Sequence, residues 1–221
     1  IPVLALNNVA NPSNKFLLNF SLAPEREGEL LAEHLLNKNI KQIALFYQSD
    51  ESNARIMAAF EKIYGQSGGQ IVAKARAPQV NKDETTGLAI KPDLPSTLLE
   101  AKAVLLLMSG TAAKSTRAAL ALNGANALPV FAASEITNNA DKTSNAQLDG
   151  IMFLQMPWLS GQSNVQGINV TQLKALPSAR GGGSRLLAFG LDAWLISTRL
   201  QMWLYSPNTP INGATGILHL E

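Results

Sequence analysis

Two uninterrupted apolar runs dominate the chain: Ile43-Ala44-Leu45-Phe46-Tyr47, and the stretch from Ala103 to Met108. A strand with one wet face alternates apolar and polar side chains. A run without alternation belongs to a strand covered on both faces, as in a parallel sheet with helices on each side. Shorter strand patterns recur at Val3 to Leu6, Phe16 to Leu22, Ile71 to Ala75, Pro129 to Ala132 and Gly150 to Leu154. Most of them are separated by amphipathic helical stretches, and strand and helix in alternation build parallel sheets whose crossovers wind right-handed.

The helical stretches carry their own punctuation. Pro24 stands in a first helical turn, with Glu25 and Glu27 placed to meet the positive end of the helix dipole. Leu30, Leu31, Leu35 and Leu36 form the apolar face around His34, and Asn37-Lys38-Asn39 is the stop. Ser49 or Asp50 caps the next helix, in which Ile56, Phe60 and Ile63 recur until Gly65. Thr111 opens a third helix running to about Leu122. The last long one starts near Ser184, with Leu187, Leu191, Trp194, Leu195, Thr198 and Met202 on one broad face, and ends at Ser206-Pro207. On that face Trp194 is expected in the core. Residues 77–97, with Pro78, Pro92 and Pro95, read as a long connection with at most one short helix. Residues 134–146 are polar and turn-rich, 164–176 weakly helical, and 177–183 a loop. Asn212 to Gly216 is a turn leading into a closing strand at Ile217 to Leu220.

Composition excludes several functions. With 18 Lys and Arg against 16 Asp and Glu, the charge is too even for an electrostatic grip on nucleic acid. No apolar run approaches the ~20 residues that cross a bilayer. Cysteine is absent, which removes disulfides, thiolate metal sites and a cysteine nucleophile. His34 and His219 stand far apart, outside any ligand-spaced pair, so no metal and no other cofactor is expected. Gly181-Gly182-Gly183 lacks the Lys-Ser or Lys-Thr pair of a phosphate loop and reads as a connector. A Gly-x-Ser-x-Gly elbow is missing, and Asp192 is expected to bond backbone or an arginine such as Arg185 or Arg199 rather than to move protons.

Several segments together resemble the type 1 periplasmic-binding-protein superfamily, whose members bind amino acids and other small solutes between two Rossmann-like lobes. They are residues 1–8, the run Phe20-Ser21-Leu22-Ala23-Pro24 before a helix, Ile43 to Phe46, and Ile211-Asn212-Gly213-Ala214-Thr215-Gly216. Three places are more similar to the LpoA family of penicillin-binding-protein activators: 148–158, ending Met156-Pro157-Trp158; 185–194, ending Asp192-Ala193-Trp194; and 211–216. The resemblance implies an α/β fold of two lobes with parallel sheets, the first lobe incomplete at its N-terminus because Val3 to Leu6 opens directly in a strand. Lobe 1 is expected to comprise 1–8 and 155–210, and lobe 2 to comprise 9–154 with 211–221 returning as a closing strand.

The same resemblance implies a non-catalytic periplasmic regulator of peptidoglycan synthesis that binds a class A penicillin-binding protein. It would be anchored to the outer membrane through a lipidated segment lying upstream. The alternative is a periplasmic solute-binding protein for an amino acid or small peptide. A peptidoglycan fragment or small amino-acid-like molecule would then occupy the inter-lobe cleft.

In open α/β sheets ligands sit outside the carboxyl ends of the strands. That rule selects Asn7, Asn8, Tyr47, Gln48, Ser49, Ser109, Gly110, Ser134, Glu135 and Trp158. Ser49, Ser109 and Thr111 precede or open helices, where free N–H groups can hold a carboxylate or where the hydroxyl simply caps. Trp158 suits a cleft, an interface or a core.

Overall fold

The computed structural model describes residues 3–6, 17–79, 91–137, 146–162, 165, 172–173, 175–179 and 183–220. The chain divides into two compact units, residues 24–154 and residues 1–23 with 155–221.

Unit 24–154 is built on one parallel sheet. Its elements are α1 (Pro24–Asn37), β3 (Gln42–Tyr47), α2 (Glu51–Gln66), β4 (Gln70–Arg76), β5 (Ala103–Leu107), α3 (Gly110–Leu122), β6 (Val130–Ala132) and β7 (Ile151–Phe153), with a 3-10 turn at Ser96–Glu100 in the long connection. The strand order is β4-β3-β5-β6-β7, every pair parallel. The unbroken apolar runs are explained by what covers them. Ile43, Leu45, Ala103, Leu105 and Leu107 pack with Leu31, Leu35, Ile56, Phe60 and Tyr64 of α1 and α2. Ala44, Phe46, Val104, Leu106 and Met108 face the other way, onto Ala112, Ala113 and Leu120 of α3. Neither face of β3 or β5 meets water, so alternation would bury unpaired polar groups at a cost of ~1–3 kcal/mol each.

Helices α1 and α2 lie backbone against backbone at Gly28, where a Cβ would stand 2.2 Å from the carbonyl oxygen of Ile56. The buried stripe of α1 is therefore Gly28, Leu31, Ala32 and Leu35, while Leu30, expected on the apolar face, is 39% exposed. Gly28 and Ala32, four residues apart on this stripe, set the rotation of the helix, because small residues there let the two helices approach. Arg55 forks onto Glu25 at 2.7 and 2.9 Å across the same pair. That hydrogen-bonded guanidinium holds the Glu25 carboxyl below its ordinary range. Tyr64 donates its hydroxyl to Ile40 O at 2.9 Å, and burial pushes its pKa up to about 12.

The other unit contains β1 (Val3–Ala5), paired in parallel with β2 (Leu17–Asn19), then α4 (Pro157–Ser160), α5 (Gly183–Tyr205), β8 (Ile211–Asn212) and β9 (Ile217–Leu218). Its core gathers Trp158, Val165, Ala188, Leu195, Ile196, Trp203, Ile211 and Ala214, and Phe20 stacks on Phe189 at 4.7 Å. Two expectations are corrected here. Residues 211–218 do not close the sheet of unit 24–154. They form an antiparallel hairpin, β8 against β9, whose Ile211 and Ala214 are buried beside Trp158 and Leu195. The segment around Phe20 likewise packs with residues 155–221 rather than with 24–154.

The rotation of α5 also differs from expectation. Trp194 is 52% exposed and Met202 49%, while the buried positions are Ser184, Ala188, Asp192, Leu195, Ile196 and Trp203. The reason is polar. The carboxylate of Asp192 is fully buried and accepts the N–H of Ala214 at 2.6 Å, the N–H of Thr215 at 2.7 Å and the Thr215 hydroxyl at 2.5 Å. Gly213 makes room for it, since a Cβ there would stand 2.6 Å from both carboxylate oxygens. The helix turns to deliver one carboxylate to the hairpin, and Trp194 rotates outward with it. Asp192 thus bonds backbone, one of the two partners expected of it. The weak helical pattern at 164–176 and most of the glycine triplet lie outside the described residues.

Candidate functional site

The chain leaves β3 outward to β4 and returns on the opposite side of β3 to form β5, so the connection reverses between β3 and β5. At such a switch point the loops after the two strands part and leave a crevice at the carboxyl edge of the sheet. The residues after β3 are Gln48, Ser49 and Asp50; after β5 come Met108 and Ser109; after β6 come Ala133, Ser134 and Glu135.

Gln48 ties the first two loops together. Its N–H donates to Leu107 O at 2.9 Å, and its side-chain Oε1 accepts the Ser109 N–H at 2.7 Å. Asp50 is the N-cap of α2, its Oδ1 accepting the Asn53 N–H at 2.9 Å. Asn53 is completely buried and donates from Nδ2 to Asp50 Oδ2 at 2.5 Å and to Glu135 Oε2 at 3.1 Å, joining the β3 loop to the β6 loop. Its Oδ1 is buried without a hydrogen-bond partner. Glu27 of α1 accepts the Ser134 N–H. Three carboxylates, Glu27, Asp50 and Glu135, therefore line this edge, each taking an N–H donor.

Several expected residues are brought together. Tyr47 and Gln48 are half-buried, Ser49 is exposed, and Ser109 and Glu135 are half-buried. Tyr47 additionally stands under the Lys74 ammonium, 5.8 Å from its ring centroid. Others are not available to a ligand: Gly110 and Ser134 are buried, and a Cβ on Gly110 would meet Ile136 O at 2.5 Å. Trp158 is 2% exposed in the apolar core of the other unit, its N–H donating to Ala214 O at 3.0 Å, so the core reading of this residue holds. Asn7 and Asn8 lie outside the described residues.

The amide N–H groups of Ser109 and Asn53 are already taken by the side chains of Gln48 and Asp50, and the Ser109 hydroxyl makes no capping bond. Fixed carboxylates around the crevice favour a cation, an ammonium above all, over an anion. The sequence reading missed Glu27 and Asn53. The signal for Asn53 was present: it shares the helical stripe of Ile56, Phe60 and Tyr64, and a polar residue on a buried stripe must have partners. Among the described residues no group of three or more His, Cys, Asp or Glu could hold a metal ion, and no helix is long and apolar enough to cross a membrane.

Comparisons with known proteins agree with the architecture. Residues 76–221 match the family described as "LppC putative lipoprotein". The penicillin-binding protein activator LpoA of Haemophilus influenzae is 26% identical over 99% of this chain and 37% of its own length. The activator of the same name from Serratia proteamaculans is 24% identical over 98% of this chain and 36% of its own. The chain thus spans a little over a third of these curated relatives. Among solved structures, the C-domain of H. influenzae LpoA, a regulator of PBP1A, superposes with a TM-score of 0.70 at 22% identity, covering 99% of this chain and 67% of that one. A Chromobacterium violaceum protein assigned to branched-chain amino acid ABC transport gives a TM-score of 0.75 at 24% identity, covering 100% and 69%. The fold is that of the type 1 periplasmic-binding-protein-like α/β structures.

Proposed function

The chain belongs to the LppC lipoprotein family, and from that premise we propose that it is a non-catalytic periplasmic module that binds and activates a class A penicillin-binding protein in peptidoglycan synthesis. The observation that carries this reading is the breadth of the match. The family covers residues 76–221, and the LpoA relatives extend over nearly the whole chain. The name of those relatives speaks of activation, and at the sheet edge the polar groups support a regulatory reading, because the Gln48 and Asn53 bonds hold loops in place. A general acid, base or nucleophile would instead aim at a substrate position. In this reading the full-length protein is held at the outer membrane by a lipidated segment.

The accessible part of the edge, exposed Ser49 and Asp50 with half-buried Ser109 and Glu135, is the surface we assign to a small ligand carrying an ammonium group, such as an amino acid or a peptidoglycan fragment. Two measurements test the whole. Immobilised chain is expected to retain a purified class A penicillin-binding protein and to raise its rate of glycan polymerisation or cross-linking. No retention and an unchanged rate would refute activation. A thermal-shift screen of amino acids and muropeptides separates the solute-binding alternative, because a true receptor gains ~2.7 kcal/mol of stability at a hundredfold excess over Kd.

A further inference from the structure

Asparagine followed by glycine occurs at Asn123-Gly124 and at Asn212-Gly213. The dipeptide has a chemistry of its own. Glycine has no Cβ to hold neighbouring groups away, and its backbone is free to turn, so its nitrogen reaches the asparagine Cγ more readily than that of any other residue. The nitrogen attacks Cγ, a C–N bond closes a five-membered succinimide, and the carboxamide nitrogen leaves as ammonia, taking the glycine N–H proton. Water then opens the ring at one of its two carbonyls and leaves aspartate or isoaspartate.

The fold guards the two pairs unequally. At the end of α3 the Gly124 N–H donates to Ala121 O at 3.1 Å. The Asn123 carboxamide is held as well, Nδ2 donating to Ala119 O at 2.9 Å and to Pro92 O at 3.2 Å. In the hairpin, Gly213 is buried and its N–H donates to Gly216 O at 2.8 Å. Asn212, however, is exposed, and among the described residues its carboxamide makes no hydrogen bond. β8 and β9 pair over two residues each, too few to stay closed alone. The Asp192 carboxylate holds them, through the N–H groups of Ala214 and Thr215 and the Thr215 hydroxyl.

We propose that Asn212-Gly213 is a modification site, a place of spontaneous deamidation whose rate is set by the grip of Asp192 on the hairpin. While the hairpin is closed the attacking nitrogen is tied to Gly216 O; when it opens locally the nitrogen is released, so the rate follows the open fraction. Isoaspartate adds a methylene to the main chain of β8. The pairing of position 212 with Ile217 is then lost, and the Ala214 and Thr215 N–H groups are displaced from Asp192, so the altered hairpin no longer closes in register. The inference does not rest on the synthase reading.

The test is to age the native chain in mildly alkaline buffer and follow the peptides holding positions 123 and 212 by mass spectrometry, counting isoaspartate with an isoaspartyl methyltransferase. Position 212 is expected to convert severalfold faster than 123, and both to rise and converge in denaturant. Asp192→Ala is expected to speed conversion at 212 severalfold and to leave 123 unchanged, with Asp192→Asn between parent and Ala. If Asp192→Ala unfolds the chain, which shows as an equal rise at 123, Thr215→Val is read in its place, since it removes one of the three bonds to Asp192. Equal rates at the two positions in the native chain, a faster 123, or a variant rate at 212 no higher than the parent's would each overturn the proposal.

Discussion

The two units solve the same problem of orienting a helix by different means. In residues 24–154, α1, α2 and α3 are oriented by apolar and small side chains laid against a sheet that is dry on both faces. In residues 155–221, α5 is oriented by a buried carboxylate that must reach the hairpin backbone, and large apolar residues such as Trp194, Leu186 and Tyr205 are left in solvent. Apolar periodicity is therefore a sound guide to helix rotation where the partner is a broad apolar surface. It misleads where one polar contact outweighs several partly exposed side chains.

Substitutions can press on that contrast, and the largest effect belongs to the close helix pair. Gly28→Ala puts a methyl group into the Ile56 carbonyl oxygen, which cannot retreat without moving α2, so a loss of at least about 3 kcal/mol is expected in denaturant unfolding. A change below ~0.5 kcal/mol would mean that the helices do not approach as described. Asp192→Ala strands three donors in the other unit and is expected to cost about 2–3 kcal/mol, with faster hydrogen exchange at the Ala214 and Thr215 amides. Asp192→Asn should recover part of this, because its one oxygen still accepts; full stability in both variants would remove the polar account of α5.

Tyr64→Phe removes one hydrogen bond from a packed ring and should cost about 1 kcal/mol at neutral pH. Its pH dependence follows from the folded-state pKa of about 12 against ~10 for a free phenol. Burial favours the protonated form, so the contribution is fully present below pH ~10 and fades as pH rises toward about 12; Tyr64→Phe should flatten that alkaline decline. A mutant curve parallel to the parent above pH 10 would show that Tyr64 does not ionise on unfolding in that window. Trp194→Ala is the smallest. A core tryptophan would cost ~3–5 kcal/mol, whereas this half-exposed one should cost less than about 1. A core-sized loss would restore the apolar-stripe reading of α5.

Much of the fold was legible because burial on both faces leaves a coarse mark. The unbroken run at Ala103 to Met108 could be little other than a central strand, and Pro24, Asp50 and Ser206-Pro207 bracket their helices through local backbone rules that need no distant partner. The candidate site was legible only in outline. Tyr47, Gln48, Ser49, Ser109 and Glu135 follow from knowing that strands end there, yet nothing local says that Gln48 reaches Ser109, 61 residues on, or that Asn53 reaches Glu135, 82 residues on. The same blindness left Trp158 open between cleft, interface and core, since Met156-Pro157-Trp158 looks alike whether the indole lies in a crevice or in a core.

The amino-acid order alone determined where strands and helices form and that the main sheet is parallel, because these depend on periodicity and on the conformations proline, glycine and capping residues allow within a few positions. Which face of α5 is buried, where residues 211–218 pack and which carboxylates line the sheet edge were decided by tertiary structure. Those outcomes turn on single polar contacts between residues far apart in the chain, where a buried donor must meet whichever acceptor the fold brings within 3 Å.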